Sequence, residues 1–158
     1  MNNKMNLLMF SSDYDKALAG FILANSAKDI GIDVTMFFAF WGLFLMRQPE
    51  KTVENDKSFY EKIFSSVTPD DPESLPLSKM NMGGFGKQML INMMKDKNAP
   101  RLIDLIQEAR DNKITYFGCK LSMDIMGLKE EELIPELQVI TAQDYLRDAI
   151  NSNIQLFI

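Results

Sequence analysis

Residues 5–38 read MNLLMFSSDYDKALAGFILANSAKDIGIDVTMFF, and this stretch decides the fold. Met5 to Phe10 is a short apolar run, the pattern of a strand covered on both faces. Ser11, Ser12 and Asp13 interrupt it. Ser12 and Asp15 have the S-x-x-D spacing of a helix N-cap, so a helix is predicted from Asp13 to Ile30. Ala17, Phe21, Ala24 and Lys28 fall together on the helical wheel, as do Leu18, Ile22 and Asn25. Ala19, Gly20 and Ala24 leave small surfaces on which a helix can approach a sheet closely. Gly31 stands where a helix ends, and Ile32 to Phe38 is β-branched and aromatic, a second strand. Strand, helix and strand within about 35 residues form a βαβ unit, which pairs in parallel through a right-handed crossover.

The pattern continues outward. Phe40 to Arg47 predicts a short helix that ends before Pro49. Residues 48–80 are polar and carry Pro49, Pro69, Pro72 and Pro76; they predict an excursion from the core, partly helical around Lys57 to Phe64. Asn81 to Gly86 predicts a turn and Lys87 to Lys95 a Met-rich helix. Pro100 is expected at the first position of a further helix with the apolar stripe Leu102, Ile103, Leu105, Ile106 and Ala109. Ile114 to Phe117 predicts a third strand, Cys119 to Leu128 a helix and Leu137 to Ile140 a fourth strand. Thr141 and Asp144 cap a helix to about Asn151, and Ile154 to Ile158 is a last strand. The expected fold is a three-layer, doubly wound, mainly parallel sheet of about five strands with helices on both faces, in one domain spanning 1–158.

Composition narrows the chemistry. The chain has 158 residues, 46% of them hydrophobic and 25% charged, which is the balance of an ordinary globular protein. A net charge of −5 repels nucleic acid. The absence of histidine excludes Ser-His-Asp and Cys-His catalysis and histidine metal sites. A single cysteine excludes an internal disulfide, a CxxC redox pair and a thiolate zinc cluster, so no metal and no cofactor are expected. One unpaired thiol and no apparent secretory signal fit a reducing cytoplasm. Val34 to Met46 is the most apolar run and falls short of the ~20 residues of a membrane span. It reads as strand plus packed helix, with an interfacial or subunit contact as the alternative, which leaves room for peripheral membrane contact. Gly83-Gly84-Phe85-Gly86-Lys87 is not a phosphate loop, because the glycine spacing fails and Gln88 replaces Ser/Thr. Glu130, Glu131 and Glu132 are expected to form a solvated helix start.

The cysteine lies in Ile114-Thr-Tyr-Phe-Gly-Cys-Lys-Leu-Ser-Met-Asp-Ile-Met-Gly127. Gly118 and Cys119 fall at the carboxyl end of the predicted third strand, the edge where open α/β sheets bind ligands. Helix-end N–H groups and Lys120 there would favour thiolate over thiol, making Cys119 a nucleophile without histidine. Burial as a small apolar residue is the competing role. Ser122 and Met123 follow at helical spacing. Ser122 could donate a hydrogen bond to a thiolate or persulfide or bond local backbone, and Met123 and Met126 could wall a polarizable pocket or pack the core. Ser11, Ser12 and Asp13 follow the first strand at the same edge, as anion holders or as caps. Trp41 and Gly42 follow the second, in the same crevice or in core or interface packing.

Cys119 to Gly127 resembles the C-x-x-S-M-x-x-M-G motif of the DsrE/DsrF-like sulfur-relay family, most nearly its DsrE2 branch, with Cys119, Ser122, Met123, Met126 and Gly127 all matching. Ser11-Ser12-Asp13 with Asp15-Lys16, Phe37 to Gly42, and the Met-rich Gly86 to Lys95 are similar too, so the likeness covers nearly the whole chain. Ser12 departs from the glycine of relatives. The resemblance implies a flavodoxin-like fold, homo-oligomers, and a sulfurtransferase-like role in which Cys119 carries sulfane sulfur as a persulfide between donor and acceptor protein thiols. Rival readings are a homo-oligomeric binding or assembly module with a structural cysteine, and a flavin or nucleotide binder in the doubly wound crevice.

Overall fold

A computed structural model describes residues 3–48, 51 and 57–158; Pro49 and part of the predicted excursion lie outside these. Five strands, β1 (Lys4–Met9), β2 (Asp33–Phe38), β3 (Thr115–Cys119), β4 (Leu137–Ile140) and β5 (Ile154–Phe157), make one sheet in the order β4-β3-β2-β1-β5. Every pairing is parallel. The described helices are α1 (Tyr14–Asp29), α2 (Phe59–Val67), α3 (Phe85–Asp96), α4 (Leu102–Asp111), α5 (Lys120–Met126) and α6 (Ala142–Ile150).

Alternation along the strands sorts the layers. Met5, Leu7 and Met9 of β1 and Met36 and Phe38 of β2 join one apolar cluster with Phe21 and Ala24 of α1, Leu105 and Ile106 of α4, and Met123 and Met126 of α5. The intervening residues meet α6. The Asn6 amide donates to Asp148 at 2.7 Å, and the Phe37 ring stacks on Tyr145 at 4.4 Å. This is the expected α/β fold with helices on both faces. Gly20 gives the close helix-to-sheet approach, since a Cβ there would lie 2.5 Å from Met9 Cε.

Long-range partners move several predicted boundaries. Asp13, not Ser12, is the N-cap of α1, because Asp15 accepts hydrogen bonds from the Ser78 amide and hydroxyl at 2.8 and 2.5 Å instead of turning back to Ser12. Pro100 is not the first residue of α4. Arg101 is the N-cap, fixed there as the Leu102 and Ile103 N–H groups donate to the Tyr14 hydroxyl (3.3 Å) and Glu73 (2.8 Å). The expected short helix is present as a 3-10 helix, Phe40–Met46; it packs four consecutive buried residues, Leu43 to Met46, into the core. β3 runs through Cys119, two residues further than Phe117, so that Cys119 pairs with Ile140.

The acidic triplet is the largest correction. Glu130 and Glu131 are exposed, but Glu132 is 0% exposed in a 3-10 turn. Its carboxylate accepts from the buried Lys57 ammonium at 2.8 Å and lies 3.7 Å from the buried Arg47 guanidinium. Lys57 also donates to Ser65, and Arg47 to Ser65, Thr68 and the Pro69 carbonyl. α2, which contributes no buried residue, is held through this polar cluster. α3 likewise has none. Removing one member of a buried ion pair costs about 3–5 kcal/mol, because the partner charge stays desolvated. Glu132→Gln is expected to lower unfolding free energy by that amount in urea titration; a change below about 1 kcal/mol would show the cluster to be energetically idle.

Candidate functional site

Parallel pairing delivers the residues after β1, β2 and β3 to one edge of the sheet. Met9, Phe38 and Gly118 form one row across these strands, and Cys119 stands one residue beyond it. Cys119 is both the last residue of β3 and the N-cap of α5 (φ −72°, ψ 113°), with no side-chain cap hydrogen bond. It is 8% exposed and lies outside the apolar cluster that its neighbours Met123 and Met126 join. Gly118 leaves room for that packing: a Cβ there would sit 2.8 Å from Leu137 Cδ2 and 3.4 Å from Met123 Sδ. Gly127 ends α5 at φ 68°, where glycine avoids strain and where a side chain would overlap Glu61, 2.5 Å from its Cγ.

Ser122 sits at the third position of α5, which in a capping box lies beside the N-cap side chain. It is 0% exposed and its hydroxyl has no hydrogen-bond partner. Neither the local backbone bond nor a bond to the thiol is made. Such a buried hydroxyl costs about 1–3 kcal/mol, so its retention calls for a reason. Lys120 points its ammonium to Asp124 at 3.0 Å, both groups well exposed. A cleft of about 500 Å³ beside α5 is lined by Lys120, Met123, Asp124, Gly127 and Val139 among others.

The first loop is engaged differently. The Ser11 hydroxyl donates to Asp13 at 2.9 Å and accepts the Asp13 N–H at 3.2 Å, while Asp13 pairs with Lys16 at 3.1 Å. The Phe10 and Ser11 N–H groups donate to the Ile158 carbonyl. Ser12 is half-buried, and β2 stands between this loop and Cys119. Trp41 is 45% exposed and lines a second, apolar cleft with Phe40, Tyr60, Phe64, Ile125 and Met126, which sequence reasoning did not find. Arg47, Lys57 and Glu132 were also missed. Arg47 and Glu132 had a positional signal, each standing directly beside a buried run, Leu43 to Met46 and Leu133 to Ile134; Lys57, followed by exposed residues, had none.

With this geometry in hand, the comparisons place the chain in a class. The model of the DsrE/DsrF/DrsH-like family matches residues 1–157, and the chain belongs to that family. Among individual relatives, it is 37% identical over 155 residues to the uncharacterised protein YrkE of Bacillus subtilis, covering 98% of this chain and 96% of that one. It is 23% identical over 168 residues, 98% of both chains, to the sulfur carrier protein DsrE2 of Allochromatium vinosum. The crystal structure of the ychN protein from E. coli shares the fold at a TM-score of 0.61 and 10% identity, covering 99% of each chain. Among the described residues no helix is long and apolar enough to cross a membrane.

Gly42 fixes the edge itself. Its N–H donates to the Phe10 carbonyl at 2.9 Å, and an added Cβ would lie 1.8 Å from the Met9 carbonyl oxygen. Backbone cannot yield as a side chain does. Gly42→Ala is therefore expected to destabilise by about 3 kcal/mol or more, at the top of the range for overpacking. An unchanged urea midpoint would contradict this close approach.

Proposed function

We propose that the protein is a sulfur carrier that holds sulfane sulfur on Cys119 as a persulfide and passes it to a partner thiol. The observation that carries the reading is the only cysteine of the chain standing at the end of β3 and the start of α5, inside a segment that resembles the cysteine motif of the family to which the chain belongs. A relative that bears the name sulfur carrier protein adds support. A cleft bordered by Lys120 and Met123, the residues one and four positions after Cys119, lies beside the same helix. In this reading the carrier works in a reducing cytoplasm as a homo-oligomer, with donor and acceptor protein thiols as transient partners.

The step is redox-neutral. The Cys119 thiolate attacks the outer sulfur of a persulfide donor R–S–SH. A bond from Cys119 Sγ to that sulfur forms, the donor S–S bond breaks, and the donor leaves as a thiolate. An acceptor thiolate then attacks the same outer sulfur and Cys119 leaves. The unpartnered Ser122 hydroxyl supplies a donor for the outer sulfur, which gives its uncompensated burial a purpose.

Intact-mass analysis after exposure to a persulfide donor checks both parts. The wild-type chain should gain ~32 Da, the mass of one sulfur on a reactive thiol, and Cys119→Ala should gain nothing. Ser122→Ala should lose the adduct several-fold faster while its melting temperature stays level or rises, since an orphan hydroxyl has been removed. Absence of the wild-type adduct, or its persistence without Cys119, would defeat the carrier reading; equal lifetimes would defeat only the role of Ser122.

A further inference from the structure

The apolar cleft between the segment after β2, α2 and the end of α5 is not lined by Cys119. Phe40, Trp41, Tyr60, Phe64, Ile125 and Met126 surround about 320 Å³, and among the described residues Glu61 is the charged one in the lining, with Lys129 and Lys57 close enough to act on it from outside the lining. This volume is at the lower end for small-molecule sites. A volume of this size suits a compact molecule.

The lining chemistry names the class. Four aromatic side chains face the cleft; the Trp41 and Phe64 ring centroids are 5.9 Å apart, and Phe44 backs both at about 6 Å. Trp41 is 45% and Tyr60 81% exposed, so neither is a core residue by default. Aromatic faces carry negative potential and attract cations, best from tryptophan and tyrosine. Hydrogen bonds from the Ser58 N–H and hydroxyl hold the Glu61 carboxyl below the usual range, so it is charged at neutral pH. Phe40 enters the cleft rim at φ 50°, a backbone state that bulky residues rarely adopt and that concentrates at binding sites.

We propose that this cleft binds a small organic cation with an apolar body, an alkylated or aryl-bearing ammonium, its charge against the Trp41 and Tyr60 faces and the Glu61 carboxylate. The site is separate from Cys119, which does not line it, and it stands or falls without the carrier reading.

Trp41 is the only tryptophan in the chain and reports directly on the cleft. The full-length protein is titrated with benzyltrimethylammonium, with neutral benzyl alcohol and with benzoate, following tryptophan emission. The cation should give a saturable change with a half-point roughly tenfold below that of the alcohol, and benzoate none. Glu61→Gln keeps an acceptor for the Ser58 N–H and should weaken cation binding roughly three- to tenfold, with the protein still folded and only a small fall in melting temperature from the lost first-turn charge. Equal response to cation and alcohol, no saturation, or indifference to Glu61→Gln would overturn the proposal. Emission that shifts with protein concentration alone would overturn it too, assigning the cleft to contact with a second copy of the chain.

Discussion

Parallel pairing of β1, β2 and β3 constrains everything else in this molecule. Each strand in a parallel ladder must leave the sheet at the same edge and return by a crossover, so the segments after Met9, Phe38 and Cys119 are crowded together before any side chain is chosen. The crowding is resolved by backbone contact. The chain after β2 folds back over the end of β1, where the Ala39 N–H reaches the Met9 carbonyl and the Gly42 N–H the Phe10 carbonyl. That leaves the end of β3 to a residue with a small side chain, and α5 begins immediately after it. A thiol at this point is held by main-chain geometry on three sides of the sequence: the β4 pairing, the turn of the helix and the packing allowed by Gly118.

Much of this was legible in residue order, and the reason is locality. The βαβ unit at 5–38 shows because its terminators and its periodicity agree, and α6 shows because Thr141 and Asp144 complete a capping box without outside help. The cysteine junction shows for the same reason: glycine, strand pattern and helix pattern meet within a few residues. What was misread depended on partners distant in the chain. Asp15 looked like a capping residue until Ser78 claimed it. Glu132 looked solvated because its neighbours Glu130 and Glu131 are; the return of Lys57 and Arg47, beside the local Lys129 N–H, makes its burial tolerable. No local signal says that the Ser122 hydroxyl lacks a partner, or that rings as far apart in sequence as Trp41 and Tyr60 share a cleft with Ile125.

Two kinds of adhesion hold the long connection between β2 and β3. Near the sheet it is apolar, through Leu43 to Met46 and Leu75. Farther out it is polar. Tyr14 and Asp15, in the first turn of α1, take Glu73 and Ser78, and Lys87 donates to the Glu73 carbonyl with its ammonium 4.7 Å from the Tyr14 ring centroid. Burial depresses the Lys87 ammonium, against the pull of Glu73 and Asp71, and raises the Tyr14 phenol. The start of α1 therefore anchors the outer part of a connection whose inner parts, Leu43 to Met46 and α4, pack with the sheet.

The lack of buried residues in α2 and α3 gives the molecule a stiff plank and a looser wrapping. Elements with full burial exchange their amides in the largest openings, and α2 and α3, which touch the core through the partly buried Phe64, Leu90, Ile91 and Met94, belong to smaller ones. Tyr60 and Phe64 belong to the wrapping and Met126 to the plank's own layer. The aromatic cleft thus joins a wall from the wrapping to a wall from the plank, and Phe64, packed against the core, ties the first to the second.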